Sequence, residues 1–175
     1  MHSPNKTKYI ALTGMLFALA IVLSIVESAI TPMLGLTPGV KIGLSNIVVM
    51  YALFFMGTKQ AFSLAVLKSL FVALTRGVVA GVLSLSGGML SLLVMWLLYR
   101  LLAKHITYFI LSVCGALSHN IGQLIAASFV LGSRLALTYA PILIVSGLVM
   151  GWITSASLGM LLPALGKMGF QGKKL

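Results

Sequence analysis

Seven polar or cationic residues interrupt stretches of the chain that are otherwise apolar, and their types suit anion binding. Lysine and arginine side chains bind phosphates and carboxylates, while amide and imidazole groups orient the rest of a small molecule. Such groups are costly inside a membrane unless they meet partners or line a cavity. We therefore predict a pocket for an anionic small molecule, built from Lys41, Asn46, Lys68, Arg76, His119, Asn120 and Gln123.

Catalysis by the chain itself is not expected, because Glu27 is its single acidic residue. Paired carboxylates and carboxylate-held metal ions cannot be assembled from one glutamate. The three histidines, His2, His105 and His119, are too dispersed to predict a zinc site. We accordingly expect no enzyme activity, no cofactor and no metal ion.

The overall composition is typical of an integral membrane protein. Of the 175 residues, 60% are hydrophobic and only 7% are charged, and the mean hydropathy is +1.14. A soluble domain of this size would lack enough polar surface to cover itself. The net charge of +11 comes from cations scattered at segment ends rather than from a basic patch with aromatic residues, so no nucleic-acid partner is expected.

The hydropathy pattern predicts an all-α bundle of six transmembrane helices in one membrane domain. Barrel strands would alternate over ten-residue segments, and no such segments occur. Lysine and arginine accumulate in loops on one side, which predicts both termini in the cytoplasm and a multi-pass protein of the cell membrane. The expected helices cover residues 9–30, 39–57, 60–81, 87–102, 106–131 and 138–162.

In this topology several cations gather at the outer face. Lys41 opens the second helix, Arg76 lies near the outer end of the third, and Arg134 lies in the loop before the sixth. The fourth helix is expected to begin with "SLSGGML", where Gly87 and Gly88 let backbone amides approach a phosphate or carboxylate. These features favour an anion site on the outer side.

Lys68 lies deeper in the third helix, and Glu27 is expected to pair with Lys41, Lys68 or Arg76 inside the membrane. One carboxylate cannot satisfy every excess cation, which leaves room for an anionic ligand. The alternative is that Lys41 and Arg134 extend to lipid headgroups, an explanation that accounts poorly for Lys68.

Four motifs in order resemble one family of small membrane proteins. The motifs are "PGVKIGLSNIV" (38–48), "LTRG" (74–77), "LSLSGGMLSLLVMWLL" (83–98) and "GALSHNIGQLIAA" (115–127). The family they resemble is labelled heptaprenyl diphosphate synthase component I, also called Gx transporters, and it is similar to the substrate-binding S-components of energy-coupling factor (ECF) transporters.

The resemblance implies a substrate-binding subunit with a pocket in the outer half, covered by loops at about 31–38 and 82–87. It implies docking on a transmembrane coupling subunit through the first helix, where Gly14 and Ala18 occupy the place of an alanine-spaced motif. ATP hydrolysis would come from partner subunits, because the chain lacks GxxxxGK[ST]. Flavins, other vitamins, and isoprenoid or quinone precursors are candidate substrates. The alternative is a non-catalytic membrane component of a heptaprenyl diphosphate synthase.

Overall fold

The all-α expectation is confirmed by a computed structural model, which describes residues 6–34, 44–102, 106–130 and 132–167. Within these residues there are six α-helices and one short 3-10 helix, and no strand. In chain order the helices are α1 (Lys6–Ile30), the 3-10 turn Thr31–Leu34, α2 (Asn46–Phe55), α3 (Thr58–Arg76), α4 (Val78–Leu102), α5 (Tyr108–Val130) and α6 (Ser133–Lys167).

Four of the described helices contain apolar segments long enough to cross a bilayer. They are Ile10–Ile30 within α1, all of α4, all of α5, and Ala140–Ser157 within α6. The helix α3 has 19 residues but carries three cations, and α2 has ten residues. This arrangement agrees with a multi-pass membrane protein.

The helices α4 and α5 form the centre of the bundle. Helix α5 packs along both α4 and α6, α3 packs against α4, and α2 packs against α3 and α4. Helix α1 lies against α3 and α2. Nearly every residue of α2 is buried, whereas α1 and α6 carry many exposed large apolar side chains. The exposed surfaces of α1 and α6 therefore suit contact with lipid.

The junction between α3 and α4 differs from the sequence-based expectation. Helix α3 ends at Arg76, α4 begins at Val78, and the single residue Gly77 joins them with φ +93°. A positive φ is readily adopted only by glycine, so the turn is completed there rather than ten residues later. Residues 82–87, expected to form a covering loop, lie inside α4.

The start of α6 also differs from the expectation. Helix α6 begins at Ser133 rather than near residue 138, and it follows Gly132, which has φ +95°. Arg134 therefore lies in the first turn of a helix and not in a loop.

Candidate functional site

Glu27 of α1 and Lys68 of α3 form the buried centre of a charged cluster. Their exposed fractions are 0% and 1%, and the carboxylate and ammonium groups interact electrostatically. The sequence spacing of α1 explains how Glu27 reaches this position. Leu16, Ala20, Ser24 and Glu27 recur at helical intervals and are the buried residues among the side chains of α1 that the structure describes, so Glu27 lies on the face that contacts α3.

Arg76 extends this cluster toward the end of α3. Its Nη2 atom donates a hydrogen bond of 3.1 Å to the main-chain carbonyl of Ser24. Arg76 lies eight residues after Lys68, about 12 Å along the helix axis. The carbonyl accepts a hydrogen bond but carries no formal charge. The charged cluster, defined as Glu27, Lys68 and Arg76, thus contains two cations and one carboxylate.

Arg76, expected at the outer face, and the deeper Lys68 both lie against α1. Lys41 lies outside the described residues, so its expected contact with a ligand stays a prediction. Arg134, expected in a loop, lies in the first turn of α6.

The polar residues of α5 separate onto two faces. The amide nitrogen Nε2 of Gln123 lies 2.7 Å from Nε2 of His119, and both side chains are buried. Asn120 points elsewhere, because its Nδ2 donates to the Leu143 carbonyl at 2.6 Å and to Ser146 Oγ at 3.2 Å. Asn120 therefore ties α5 to α6, while His119 and Gln123 face α4 next to Gly87.

Gly87 and Gly88 lie in the interior of α4, not at a helix start as expected. A Cβ atom at Gly87 would lie 2.7 Å from the His119 carbonyl oxygen and 2.9 Å from its ring carbon Cε1. Gly122 of α5 is equally restricted, since its Cβ would lie 2.7 Å from the Ser86 carbonyl oxygen. Gly87 and Gly122 are needed for close helix approach, and amides within a helix are already hydrogen-bonded. An anion site at these amides is therefore not supported.

Serine side chains complete the α4–α5 contact, a role that was not predicted from the sequence. Ser86 Oγ donates to the Gly122 carbonyl at 3.0 Å, and Ser91 Oγ donates to the Gly115 carbonyl at 2.8 Å. Asn46 Nδ2 of α2 donates to Ser91 Oγ at 3.0 Å. The sequence signal for these contacts is a set of serines inside an apolar helix, because serine hydroxyls need hydrogen-bond partners in lipid.

A small cavity lies between α2, α5 and α6. Its volume is about 10 Å³, room for roughly one water molecule. Pockets for drug-sized ligands have volumes of about 300–1,000 Å³, so this cavity does not hold a whole vitamin or prenyl compound. Asn46 and His119 line it, whereas Asn120 and Gln123 are not among its lining residues. The complete lining is Asn46, Met50, Ser112, Gly115, Ala116, His119, Met150 and Thr154.

The expected docking residues of α1 lie on its outward face. Gly14 and Ala18 are exposed, and a Cβ atom at Gly14 would meet no atom within 4 Å. They lie on a different side of α1 from Ser24 and Glu27, which are buried against the bundle. The outward face is thus free of contacts from the described part of the chain near Gly14.

Comparison with known proteins identifies a family over most of the chain. The model of the family described as heptaprenyl diphosphate synthase component I matches residues 16–161. No curated protein matches the chain. No solved structure matches it either. The matched region includes α2 to α5, the buried part of α1 and residues 133–161 of α6, and so contains the charged cluster and the small cavity. The chain belongs to the heptaprenyl diphosphate synthase component I family.

Proposed function

We propose that the chain is the substrate-binding membrane subunit of an ECF-type transporter, and that its substrate is an anionic small molecule. The observation that carries this proposal is the charged cluster, in which the two cations Lys68 and Arg76 accompany a single carboxylate, that of Glu27 beside Lys68. Uncompensated charge in a low-dielectric region is costly, and a bound anion would offset it.

Arg76 is the cation best placed to meet such an anion. Lys68 is fully buried beside Glu27, whereas Arg76 is half-buried in the last turn of α3. A guanidinium has five N–H donors, and the hydrogen bond to the Ser24 carbonyl uses one of them. The remaining donors suit bidentate binding of a phosphate or carboxylate. Lys41, expected at the same membrane face, would add a second contact.

Transport in this proposal depends on partner proteins. The chain has no phosphate-binding motif for ATP, so ATPase subunits would supply the energy. The outward face of α1 is a candidate contact for a coupling subunit, because Gly14 and Ala18 allow another helix to approach closely. Substrate binding would precede reorientation of the bundle against that subunit.

A second function is favoured by the description of the family itself. We infer as this second function that the chain is the non-catalytic membrane component of a heptaprenyl diphosphate synthase, with catalysis supplied by a separate subunit. A single acidic residue agrees with a non-catalytic role. In that case the charged cluster would bind the diphosphate of a substrate or product rather than a transported molecule.

Ligand binding by Arg76 variants tests the anion site, which both functions share. We expect isopentenyl diphosphate, flavin mononucleotide or inorganic diphosphate to stabilise the purified protein in detergent. Arg76→Gln should weaken that binding by about tenfold or more, since a charge-assisted hydrogen bond contributes about 1.5–3 kcal/mol. Arg100→Gln is the matched control, because Arg100 lies in the last turn of α4, over the Trp96 ring.

Equal binding by wild type and Arg76→Gln would show that the charged cluster is not the anion site. Repeating the measurement in nanodiscs of zwitterionic lipid distinguishes binding of a soluble anion from binding of a lipid headgroup. Purification from membranes then distinguishes the two functions. Recovery with a coupling subunit and ATPases supports transport, whereas recovery only with a soluble, aspartate-rich synthase supports the second function and overturns the first.

A further inference from the structure

We propose that the small cavity between α2, α5 and α6 binds a single water molecule that joins these three helices through hydrogen bonds. The cavity and the charged cluster have no residue in common, so this inference does not depend on the proposed function. The chemistry of the lining atoms decides what the cavity can hold.

Two hydroxyl groups in the lining can only accept hydrogen bonds from a guest. Ser112 Oγ donates its hydrogen to the Tyr108 carbonyl at 2.6 Å, and Thr154 Oγ1 donates its hydrogen to the Met150 carbonyl at 2.6 Å. Each hydroxyl has one hydrogen and two lone pairs. Because both hydrogens are used within their own helices, the remaining capacity of these side chains is that of acceptors.

Asn46 adds a third acceptor from α2. Its exposed fraction is 8%, and its Nδ2 donates to Ser91 Oγ. Its Oδ1 atom is buried and has no hydrogen-bond partner among the described residues. A buried carbonyl oxygen without a partner loses the hydrogen bonds it made in water, which is unfavourable. A guest that donates hydrogen bonds would restore the lost interaction.

The ring of His119 distinguishes water from a metal cation as the guest. The amide nitrogen of Gln123 can only donate, so the His119 Nε2 atom beside it accepts. A neutral imidazole with an acceptor at Nε2 carries its hydrogen on Nδ1, as a donor. Three uncharged oxygens with a donor group nearby are a poor site for a desolvated cation, since hard cations take about six or more oxygen ligands.

A water molecule fits both the size and the polarity of the cavity. The volume of about 10 Å³ matches one water, which can donate two hydrogen bonds to the acceptors around it. Helix α2 otherwise packs mainly against α1, α3 and α4. The bound water would therefore be a bridge from α2 to the α5–α6 pair.

The test compares two threonine variants that differ in position but not in chemistry. Thr75 Oγ1 donates to the Phe71 carbonyl at 2.8 Å, as Thr154 does to Met150, but Thr75 is exposed and outside the cavity. We expect Thr154→Val to lower the melting temperature in detergent by about 2–4 °C relative to Thr75→Val. Equal melting temperatures for the two variants would overturn the water bridge.

A double variant gives a second readout. Asn46→Leu removes the Oδ1 acceptor and, with it, the bound water. Thr154→Val should therefore lower the melting temperature little further in the Asn46→Leu background. Additive shifts in melting temperature would contradict a shared water. If Asn46→Leu does not fold, Asn46→Ser replaces it in the same comparison.

Two direct measurements decide the nature of the guest. A high-resolution structure should show an ordered density peak within about 3.2 Å of Asn46 Oδ1, and a well-defined cavity with no peak would overturn the proposal. Wild-type stability should also be the same in sodium and in N-methylglucamine chloride. A sodium-dependent rise in melting temperature that disappears in Thr154→Val would assign the site to a cation instead.

Discussion

Helix α1 and the α4–α5 pair are held in the bundle by different kinds of contact. Helices α4 and α5 approach so closely that Gly87 and Gly122 lie against the backbone of the facing helix. Helix α1 exposes most of its large apolar residues and buries one narrow face. That face ends in Ser24 and Glu27, which contact Arg76 and Lys68 of α3 through hydrogen bonding and charge.

The difference between the α1 contact and the α4–α5 contact follows from the lipid surroundings of the helices. In lipid, exclusion of water does not drive helices together, so association depends on close packing and on polar contacts. The α4–α5 contact uses both, since Ser86 and Ser91 donate to carbonyls of α5 alongside the glycines. The α1 contact relies more on the charged cluster. An anion that competes for Lys68 or Arg76 would therefore affect α1 before it affects α4 and α5.

Removing the carboxylate of the charged cluster should have the largest effect on stability. Glu27→Ala leaves Lys68 buried without its counter-charge, and we expect the free energy of unfolding to fall by about 3–5 kcal/mol. Unfolding of the purified protein, followed by denaturant titration in detergent, measures the loss. The helices α4 and α5 should keep their protection from amide exchange longer than α1.

The double variant Glu27→Ala, Lys68→Met is the control for this prediction. It removes the unpaired charge while keeping a long apolar side chain, so it should recover most of the lost stability. If the double variant is as unstable as Glu27→Ala, the loss comes from packing at position 27 and the electrostatic account of α1 is wrong.

A smaller effect is expected from adding one methyl group to the α4–α5 contact. Gly87→Ala places Cβ 2.7 Å from the His119 carbonyl oxygen, which the backbone of α5 cannot easily avoid. We expect a loss of about 1–3 kcal/mol. Gly88→Ala is a matched control one residue away, because its Cβ would lie 3.7 Å from Ala65 Cβ, an ordinary contact.

Since alanine also favours the helix by up to about 1 kcal/mol over glycine, Gly88→Ala should be neutral or stabilising. Measured unfolding free energies that are equal for the two variants would show that α4 and α5 are farther apart at Gly87 than the structure has them.

The sequence predicted the all-helical fold because hydropathy is a property of long segments. It also predicted that Glu27 pairs with a nearby cation, because Glu27 is the single acidic residue. It misplaced the start of the fourth helix because two adjacent glycines resemble a turn when read alone. The role of Gly87 depends on His119 and on the backbone of α5, which are more than 30 residues away in the chain. Local pattern cannot distinguish a glycine that ends a helix from one that accommodates a neighbouring helix.

The polar residues of α5 show a related limit. The 2.7 Å contact shows that His119 and Gln123, four residues apart, share a face of α5. Asn120 was grouped with them, but it bonds to Leu143 and Ser146 of α6. The neighbouring helix decides whether a polar side chain of α5 lines a cavity or bonds to another helix. The sequence of α5 alone does not predict this.

The smallest effect on stability is expected at Gly14 of α1, although its effect on assembly should be large. Gly14 is exposed and a Cβ there meets no atom within 4 Å, unlike Gly87 and Gly122. Gly14→Leu should therefore leave the free energy of unfolding unchanged or raise it by up to about 1 kcal/mol, because leucine favours a helix over glycine. If α1 docks on a coupling subunit through its outward face, the same variant should lose the co-purified partner, because a leucine prevents close backbone approach.

Leu19→Ala, at an exposed position on α1, is the control and should retain the partner. A Gly14→Leu protein that is stable and keeps its partner would place the docking surface elsewhere, and it would leave the charged cluster as the functional feature of α1.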